Sequence, residues 1–430
     1  MIINFSVKNF KCIKDTINLS FEASKSDFLE DYYVVEPKKG LRLLKLALIY
    51  GANASGKTTI LEAIDFLRNL VLNPLEKKTD RLNLSPFVFE ENQQYKNTSF
   101  TLEFFHDEIK YLYNLSVNRK FINKEKLFFF NPNKALVFER ETDPDNLVTN
   151  IKFGSKISIG KERKDSLLGN TLSNNTVLGG YLKTNFQSSI LTSVLDWFGK
   201  QLKPIVFSHT PLVPFISDQF NKGLINKNIF VEILRKADFG INDINFQKKE
   251  IKATKDFIEF LVNKTNITES ELEKIKEEEK YESVEILIGH LLNNKKYFLH
   301  LDEESAGTQR YYELSGLLGL MMKEKSIILL DELESSLHPE LIKHFLLTFL
   351  VNSKQSQLIT TTHHRELLME KDMLRNDVIW FTEKKPDLST DLFSLRDFKT
   401  SVIRKQSSIY NAYRAGKFGA TPSLHDYYID

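Results

Sequence analysis

The sequence predicts an α/β fold with a mixed, largely parallel sheet, an antiparallel β-subdomain and a helical insertion. A short apolar run over residues 46–50 precedes a glycine-rich loop and a helical apolar pattern over residues 58–72. After residue 296, strand and helix patterns alternate, which is typical of a parallel sheet with covering helices. Alternating apolar residues near the N-terminus and over residues 98–117 predict antiparallel strands.

The length of 430 residues allows two or three domains. We expect an N-terminal lobe over residues 1–120, a mostly helical insertion over 121–295 and a C-terminal lobe over 296–430. Within the insertion, the polar stretch 131–175 is expected to be irregular. Helices are predicted over 182–202, 218–236 and 268–289, the last with Thr268 as its N-cap.

Composition excludes several classes of protein. The single cysteine, Cys12, rules out a disulfide framework within the chain. The chain has no signal-peptide pattern and no apolar run near the roughly 18 residues of a membrane span. We therefore expect a cytoplasmic protein that does not enter a membrane. The formal net charge of +2 gives no support for nucleic-acid binding, although local patches leave it open.

The glycine-rich loop matches the full P-loop pattern, from Gly51 through Gly56 to Lys57 and Thr58. Its backbone amides can cradle phosphate oxygens at the start of a helix, and Lys57 adds a positive charge. The Thr58 hydroxyl is suited to ligate Mg²⁺. The predicted nucleotide-binding residues here are Gly51, Asn53, Ala54, Ser55, Gly56, Lys57, Thr58 and Thr59. A guanine-recognition motif is absent from the expected place, which favours ATP.

A second apolar strand, residues 326–330, ends in Asp331 and Glu332. In P-loop proteins an aspartate at this place orients the Mg²⁺ shell, so Asp331 is predicted to join Thr58 at the metal. The adjacent Glu332 is predicted to be the general base that polarises the attacking water.

Three further segments accompany these motifs in a fixed order. A Ser-Ala-Gly-Thr-Gln loop begins a helix at Ser305, a Ser-Leu-His-Pro loop contains Ser336, and a Thr-Thr-Thr strand ends at His363. With the P-loop and Asp331-Glu332, this order resembles the ABC-type ATPase heads, in particular the soluble RecF-like and OLD-like branch. The resemblance covers roughly residues 1–120 and 296–400.

The resemblance implies roles for these segments. His363 stands at the switch histidine, which hydrogen-bonds the γ-phosphate. The signature-like loop would contact the γ-phosphate held by another subunit, which implies a head-to-tail dimer or a higher homo-oligomer. Its residues are Ser305, Gly307, Thr308 and Gln309. Ser336 matches the loop that links two active sites, or it caps the following helix.

The glutamine that contacts the nucleotide in such heads stays unassigned, because Gln93, Gln94 and the segment at Ser85 are all candidates. A narrower resemblance, carried by residues 376–381, 392–398 and 410–422, is to bacterial abortive-infection ATPases of the AbiLi and RloA type. It implies an anti-phage sensor or switch that controls a separate toxic effector protein encoded nearby. The alternative is a RecF-like ATPase of DNA repair.

Overall fold

The computed structural model describes residues 1–156, 159–237, 239–252, 273, 280–398, 409–416 and 418. The chain forms two compact units. The first contains Met1–Thr210, Glu324–Ser335 and the described residues from Phe349 onwards, and the second contains Pro211–Lys323 and Ser336–Thr348. No helix within the described residues is both long and apolar enough to cross a membrane.

The strands of both units are, in chain order, β1 (Ile2–Lys8), β2 (Ile17–Ser20), β3 (Val34–Lys38), β4 (Leu41–Leu44), β5 (Leu46–Gly51), β6 (Thr98–His106), β7 (Ile109–Val117), β8 (Ile122–Phe130), β9 (Lys134–Thr142), β10 (Thr149–Phe153), β11 (Ile241–Lys252), β12 (Lys280–Leu292), β13 (Lys295–His300), β14 (Ile327–Leu330), β15 (Gln357–Thr362), β16 (Ile379–Lys384) and β17 (Thr390–Ser394).

The α-helices are α1 (Glu30–Tyr33), α2 (Lys57–Leu72), α3 (Lys161–Asn170), α4 (Val177–Leu182), α5 (Ser189–Asp196), α6 (Val213–Asn221), α7 (Lys227–Lys236), α8 (Ala306–Lys323), α9 (Pro339–Asn352) and α10 (Ile409–Arg414). Short 3₁₀ turns and one π-helical turn, Trp197–Gln201, complete the described secondary structure.

The five-stranded sheet of the first unit has the strand order β14-β15-β5-β16-β17. The first four strands run parallel, and β17 returns antiparallel to β16. Every residue of β5 is buried, as expected for a strand covered on both faces. This confirms the predicted α/β fold, and it brings the C-terminal ends of β5, β14 and β15 to one edge of the sheet.

A separate antiparallel sheet in the first unit has the order β10-β9-β8-β7-β6-β1-β2. The predicted N-terminal strands and the hairpin over residues 98–117 are confirmed as parts of it. The prediction that 131–175 is irregular is wrong, because β9, β10 and α3 lie there. Val137 and Phe138 of β9 are fully buried, and pairing with β8 stabilises a stretch whose local composition is mostly polar.

The second unit contains α6, α7, α8 and the antiparallel sheet β11-β12-β13. The glycines of α8 allow close packing, since a Cβ at Gly316 would lie 2.5 Å from Ile216. The helix predicted over 218–236 is interrupted at Gly223, whose φ is +65°. Asn226 then caps α7 by accepting hydrogen bonds from two backbone amides.

The predicted helix over 268–289 is wrong for residues 280–289, which belong to β12. Ile286 and Ile288 are both buried, so the apolar residues follow the period of a strand. Pairing with β11 outweighs the helical propensity of the charged segment before it. The proposed N-cap, Thr268, lies outside the described residues. The limits of the three predicted domains stay a prediction, although 121–295 contains strands as well as helices.

Candidate functional site

The P-loop connects the buried strand β5 to the helix α2. Gly56 is the N-cap of α2 with φ of +98°, a conformation that favours glycine, and Ala54 also has a positive φ of +60°. Lys57 is 6% exposed and donates hydrogen bonds to the carbonyls of Gly51 and Ala52, at 3.2 and 3.1 Å. The lysine therefore lies inside the loop, while Asn53 is exposed at its tip.

Thr58 and Asp331, the two predicted Mg²⁺ ligands, lie in direct contact. The Thr58 hydroxyl donates to both oxygens of the Asp331 carboxylate, at 3.0 and 3.1 Å. Residues 273 positions apart in the chain are thus brought together by the parallel order of β5, β15 and β14. A hydroxyl and a carboxylate are oxygen ligands that Mg²⁺ prefers, so the donor set fits the ion.

Thr361, at the end of β15, connects the predicted metal ligand Asp331 with the predicted general base Glu332. Its hydroxyl donates to Asp331 Oδ1 at 2.6 Å and accepts the backbone N–H of Glu332 at 2.8 Å. Glu332 has a positive φ of +53°, which is uncommon for a residue with a Cβ. Thr361 is fully buried, so it holds this turn of the chain firmly in place. Sequence reasoning gave Thr361 no role.

His363 follows β15 directly and lies near the same carboxylates. Its backbone N–H donates to Glu334 Oε1 at 2.5 Å. Burial and then the charge of Lys57 lower the pKa of His363, while Glu334, Glu332 and Asp331 oppose this shift. The imidazole is therefore neutral at pH 7, able to accept one hydrogen bond and to donate another. Glu334 is a second residue that the sequence motifs did not single out.

Burial lowers the pKa of Lys57, and the charges of Asp331, Glu334 and Glu332 act in the opposite direction. The negative charges of three carboxylates therefore favour the charged form of the P-loop lysine. A bound polyphosphate would add further negative charge, which Mg²⁺ between Thr58 and Asp331 would offset.

Two threonines from the C-terminal strands contact the P-loop. The Thr382 hydroxyl is 2.6 Å from Ser55 Oγ, and the Thr390 hydroxyl donates to the Ser55 carbonyl at 2.9 Å. A Cβ at Gly56 would lie 2.2 Å from Thr390 Oγ1, so this strand packs tightly on the loop. Cys12 accepts a hydrogen bond from Thr390 and contacts Thr59, at 3.1 and 3.3 Å. No spacing in the sequence predicts these contacts.

The signature-like loop belongs to the second unit. Ser305 is exposed and precedes α8, and its hydroxyl accepts the Thr308 backbone N–H at 3.1 Å. Gln309 Nε2 donates to the Glu304 carbonyl at 2.8 Å. Gly307 is closely packed, since a Cβ there would lie 3.1 Å from the Ser336 carbonyl. Ser305 thus caps an 18-residue helix, and its role toward a nucleotide stays a prediction.

The candidates for the nucleotide-contacting glutamine stay open. Gln93 is 4% exposed and begins a 3₁₀ turn, and its carbonyl accepts a hydrogen bond from Asn9. Ser85 accepts the backbone N–H of Lys11 at 2.6 Å. Both positions therefore support the turn between β1 and β2, and neither contact selects the residue that meets a nucleotide.

The sequence model of one family matches residues 46–370, described as "AAA domain, putative AbiEii toxin, Type IV TA system". This range is most of the chain and includes the P-loop, Asp331, Glu332 and His363. The chain belongs to this AAA family. With the parallel sheet and the P-loop described above, it is an ATPase domain of the AAA type. A search of curated protein sequences gave no match.

Solved structures with a similar fold include the SMC head domain from Thermotoga maritima, at 16% identity and a TM-score of 0.40. The match covers 91% of this chain and 98% of that chain. An Smc head with an extended coiled coil, bound to a ScpA domain derived from Pyrococcus furiosus, matches at 14% identity and a TM-score of 0.39, with 94% and 98% covered. At these scores, the assignment to the AAA family rests on the family match.

Proposed function

We propose that this AAA domain binds ATP with Mg²⁺ and hydrolyses it at the edge of the five-stranded sheet. The observation that carries the proposal is the hydrogen-bonded cluster of Thr58, Asp331, Thr361 and Glu332 beside the buried Lys57. Lys57 and the amides at the start of α2 bind the β- and γ-phosphates. Thr58 and Asp331 are the residues that would hold Mg²⁺, which supplies charge stabilisation for the transferred phosphoryl group.

Glu332 acts as the general base in this proposal. It accepts a proton from the attacking water, and the Thr361 hydrogen bond to its backbone keeps the carboxylate at the end of β14. The neutral His363 orients the same water or a γ-phosphate oxygen. Hydrolysis releases ADP and phosphate, and the proton leaves through the Glu332 carboxylate.

Dimerisation is the second part of the proposal. Ser305, Gly307, Thr308 and Gln309 of one copy would close over the γ-phosphate held by another copy. The exposed start of α8 supports this, because a helix N-terminus with a serine hydroxyl is suited to bind an anion. Binding of ATP would thereby control the oligomeric state.

We further propose that this switch serves a bacterial anti-phage system and controls a separate toxic effector protein. The description of the matched family, which names a toxin and a toxin–antitoxin system, supports a role in such a conflict. The AbiLi and RloA resemblance of the C-terminal segments points the same way. Copurification with the product of a neighbouring gene, with and without ATP, tests this part; a partner acting in recombination would refute it.

Three variants test the nucleotide site. Lys57→Ala should abolish binding of ATP, measured by isothermal titration calorimetry. Glu332→Gln should keep binding, lose hydrolysis and accumulate an ATP-bound dimer, measured by light scattering after gel filtration. Ser305→Arg should bind ATP as a monomer and fail to dimerise. Parental hydrolysis by Glu332→Gln would show that another group is the base, and an ATP-induced dimer of Ser305→Arg would refute the composite site.

A further inference from the structure

Glu334 is an acidic residue of the candidate site that the sequence motifs leave without a role. It follows Glu332 by two positions, in the loop after β14, and its side chain reaches the segment after β15. One carboxylate oxygen, Oε1, accepts the backbone N–H of His363 at 2.5 Å. A hydrogen bond to a charged acceptor is stronger than one between neutral groups, so this contact is suited to hold the histidine in place.

The other carboxylate oxygen, Oε2, is buried and has no hydrogen-bond partner among the described residues. The Tyr50 hydroxyl, at the end of β5, is likewise buried without a described partner, and burial, followed by the charge of Glu334, raises the pKa of that phenol. A buried carboxylate oxygen without a partner costs free energy, and such groups are concentrated at functional sites. Simple structural support for a loop would not require this arrangement.

The charge of Glu334 also acts on Lys57 and on His363. It opposes the lowering of the Lys57 pKa by burial. Among the carboxylates that oppose the lowering of the His363 pKa, Glu334 has the largest effect. Glu334 therefore contacts His363 directly, and its charge reaches the P-loop lysine. No other described carboxylate accepts a hydrogen bond from the His363 backbone.

We propose that Glu334 is a positioning residue for ATP hydrolysis, which fixes His363 relative to Glu332 through its hydrogen bond to the His363 backbone. This inference rests on the proposed function. Glu334 does not take the proton from water; it holds the group that orients the water. Residues that lock a catalytic side chain in this way affect the rate of the chemical step more than the binding of the substrate.

The test compares steady-state ATP hydrolysis by Glu334→Ala and Glu334→Gln with the parent. Glu334→Ala should lower kcat by about 10- to 100-fold, the range expected when a hydrogen bond to a charged group is lost, while KM stays within about threefold. Glu334→Gln should recover most of this loss, because the amide oxygen can still accept the His363 N–H. Glu366→Gln is the matched control, since Glu366 pairs with the neighbouring His364 at 3.1 Å and is half exposed; its kcat should be parental.

A pH profile separates positioning from simple structural support. Removing the negative charge lowers the pKa of His363, so the acid limb of the kcat profile should move to lower pH in both Glu334 variants and not in Glu366→Gln. A parental kcat for Glu334→Ala, or an acid limb that moves in neither variant, would overturn the role of Glu334. If Lys57→Ala abolishes hydrolysis while Glu334→Ala leaves it unchanged, the proposed function stands and the positioning role falls.

Discussion

Replacing Thr361 by valine removes one hydroxyl and two hydrogen bonds at the centre of the site. The hydroxyl contacts Asp331 and the backbone N–H of Glu332, and the side chain is fully buried. Valine has a similar shape, so packing is retained. Loss of the charge-assisted bond costs about 2 kcal/mol, and the unpaired amide costs about 1 kcal/mol more. The free energy of unfolding of Thr361→Val should therefore be about 3 kcal/mol lower than that of the parent.

The catalytic effect of Thr361→Val should exceed its effect on ATP binding. Without the hydroxyl, Glu332 is no longer held at its positive φ, and Asp331 gains freedom next to Thr58. A loss of about 1.4 kcal/mol of transition-state stabilisation, with ATP binding unchanged, gives a tenfold lower kcat. Thermal unfolding and ATP turnover measure the two effects. Thr361→Ser is the control, since it keeps the hydroxyl and loses only one methyl group.

Two results would contradict this reasoning. If Thr361→Val turns over ATP as fast as Thr361→Ser, the hydroxyl does not hold the catalytic residues. If both variants unfold at the same temperature, the two hydrogen bonds contribute nothing measurable, and the arrangement of Asp331 and Glu332 depends on other contacts.

Two further predictions concern the P-loop and the antiparallel sheet. Gly56→Ala should abolish ATP binding, as measured by calorimetry, because a φ of +98° is strained for alanine and the added Cβ would collide with Thr390. Gly160→Ala is the control, since there is open space at its Cβ, and it should bind ATP as the parent does. Burial raises the pKa of Glu125 to about 7, against its usual 4.5, so the folded state binds more protons and loses stability as pH rises from about 5 to 8. The free energy of unfolding of Glu125→Gln minus that of the parent, both measured by urea denaturation, should therefore rise over that range. A difference that stays constant with pH would show that Glu125 is already ionised in the folded protein at about pH 5.

Much of the site was predictable from local sequence patterns. A strand, a glycine loop and a helix follow one another in the chain, so Gly51 to Thr58 can be identified without any distant contact. The apolar strand before Asp331 is equally local. The weaker predictions were those in which distant pairing decides the structure: Ile286 and Ile288 are compatible with a helix until pairing with β11 is known.

The sequence by itself determined the residue types of the site and their order along the chain, because phosphate and Mg²⁺ binding require glycines, a lysine and oxygen ligands in fixed local arrangements. Only the tertiary structure decided which side chains support them. Thr361, Thr382, Thr390 and Glu334 come from four other segments, which are β15, β16, β17 and the loop after β14, and the five-stranded sheet brings them to the site. Hydrogen bonds of this kind depend on distances across the fold, which no spacing along the chain encodes.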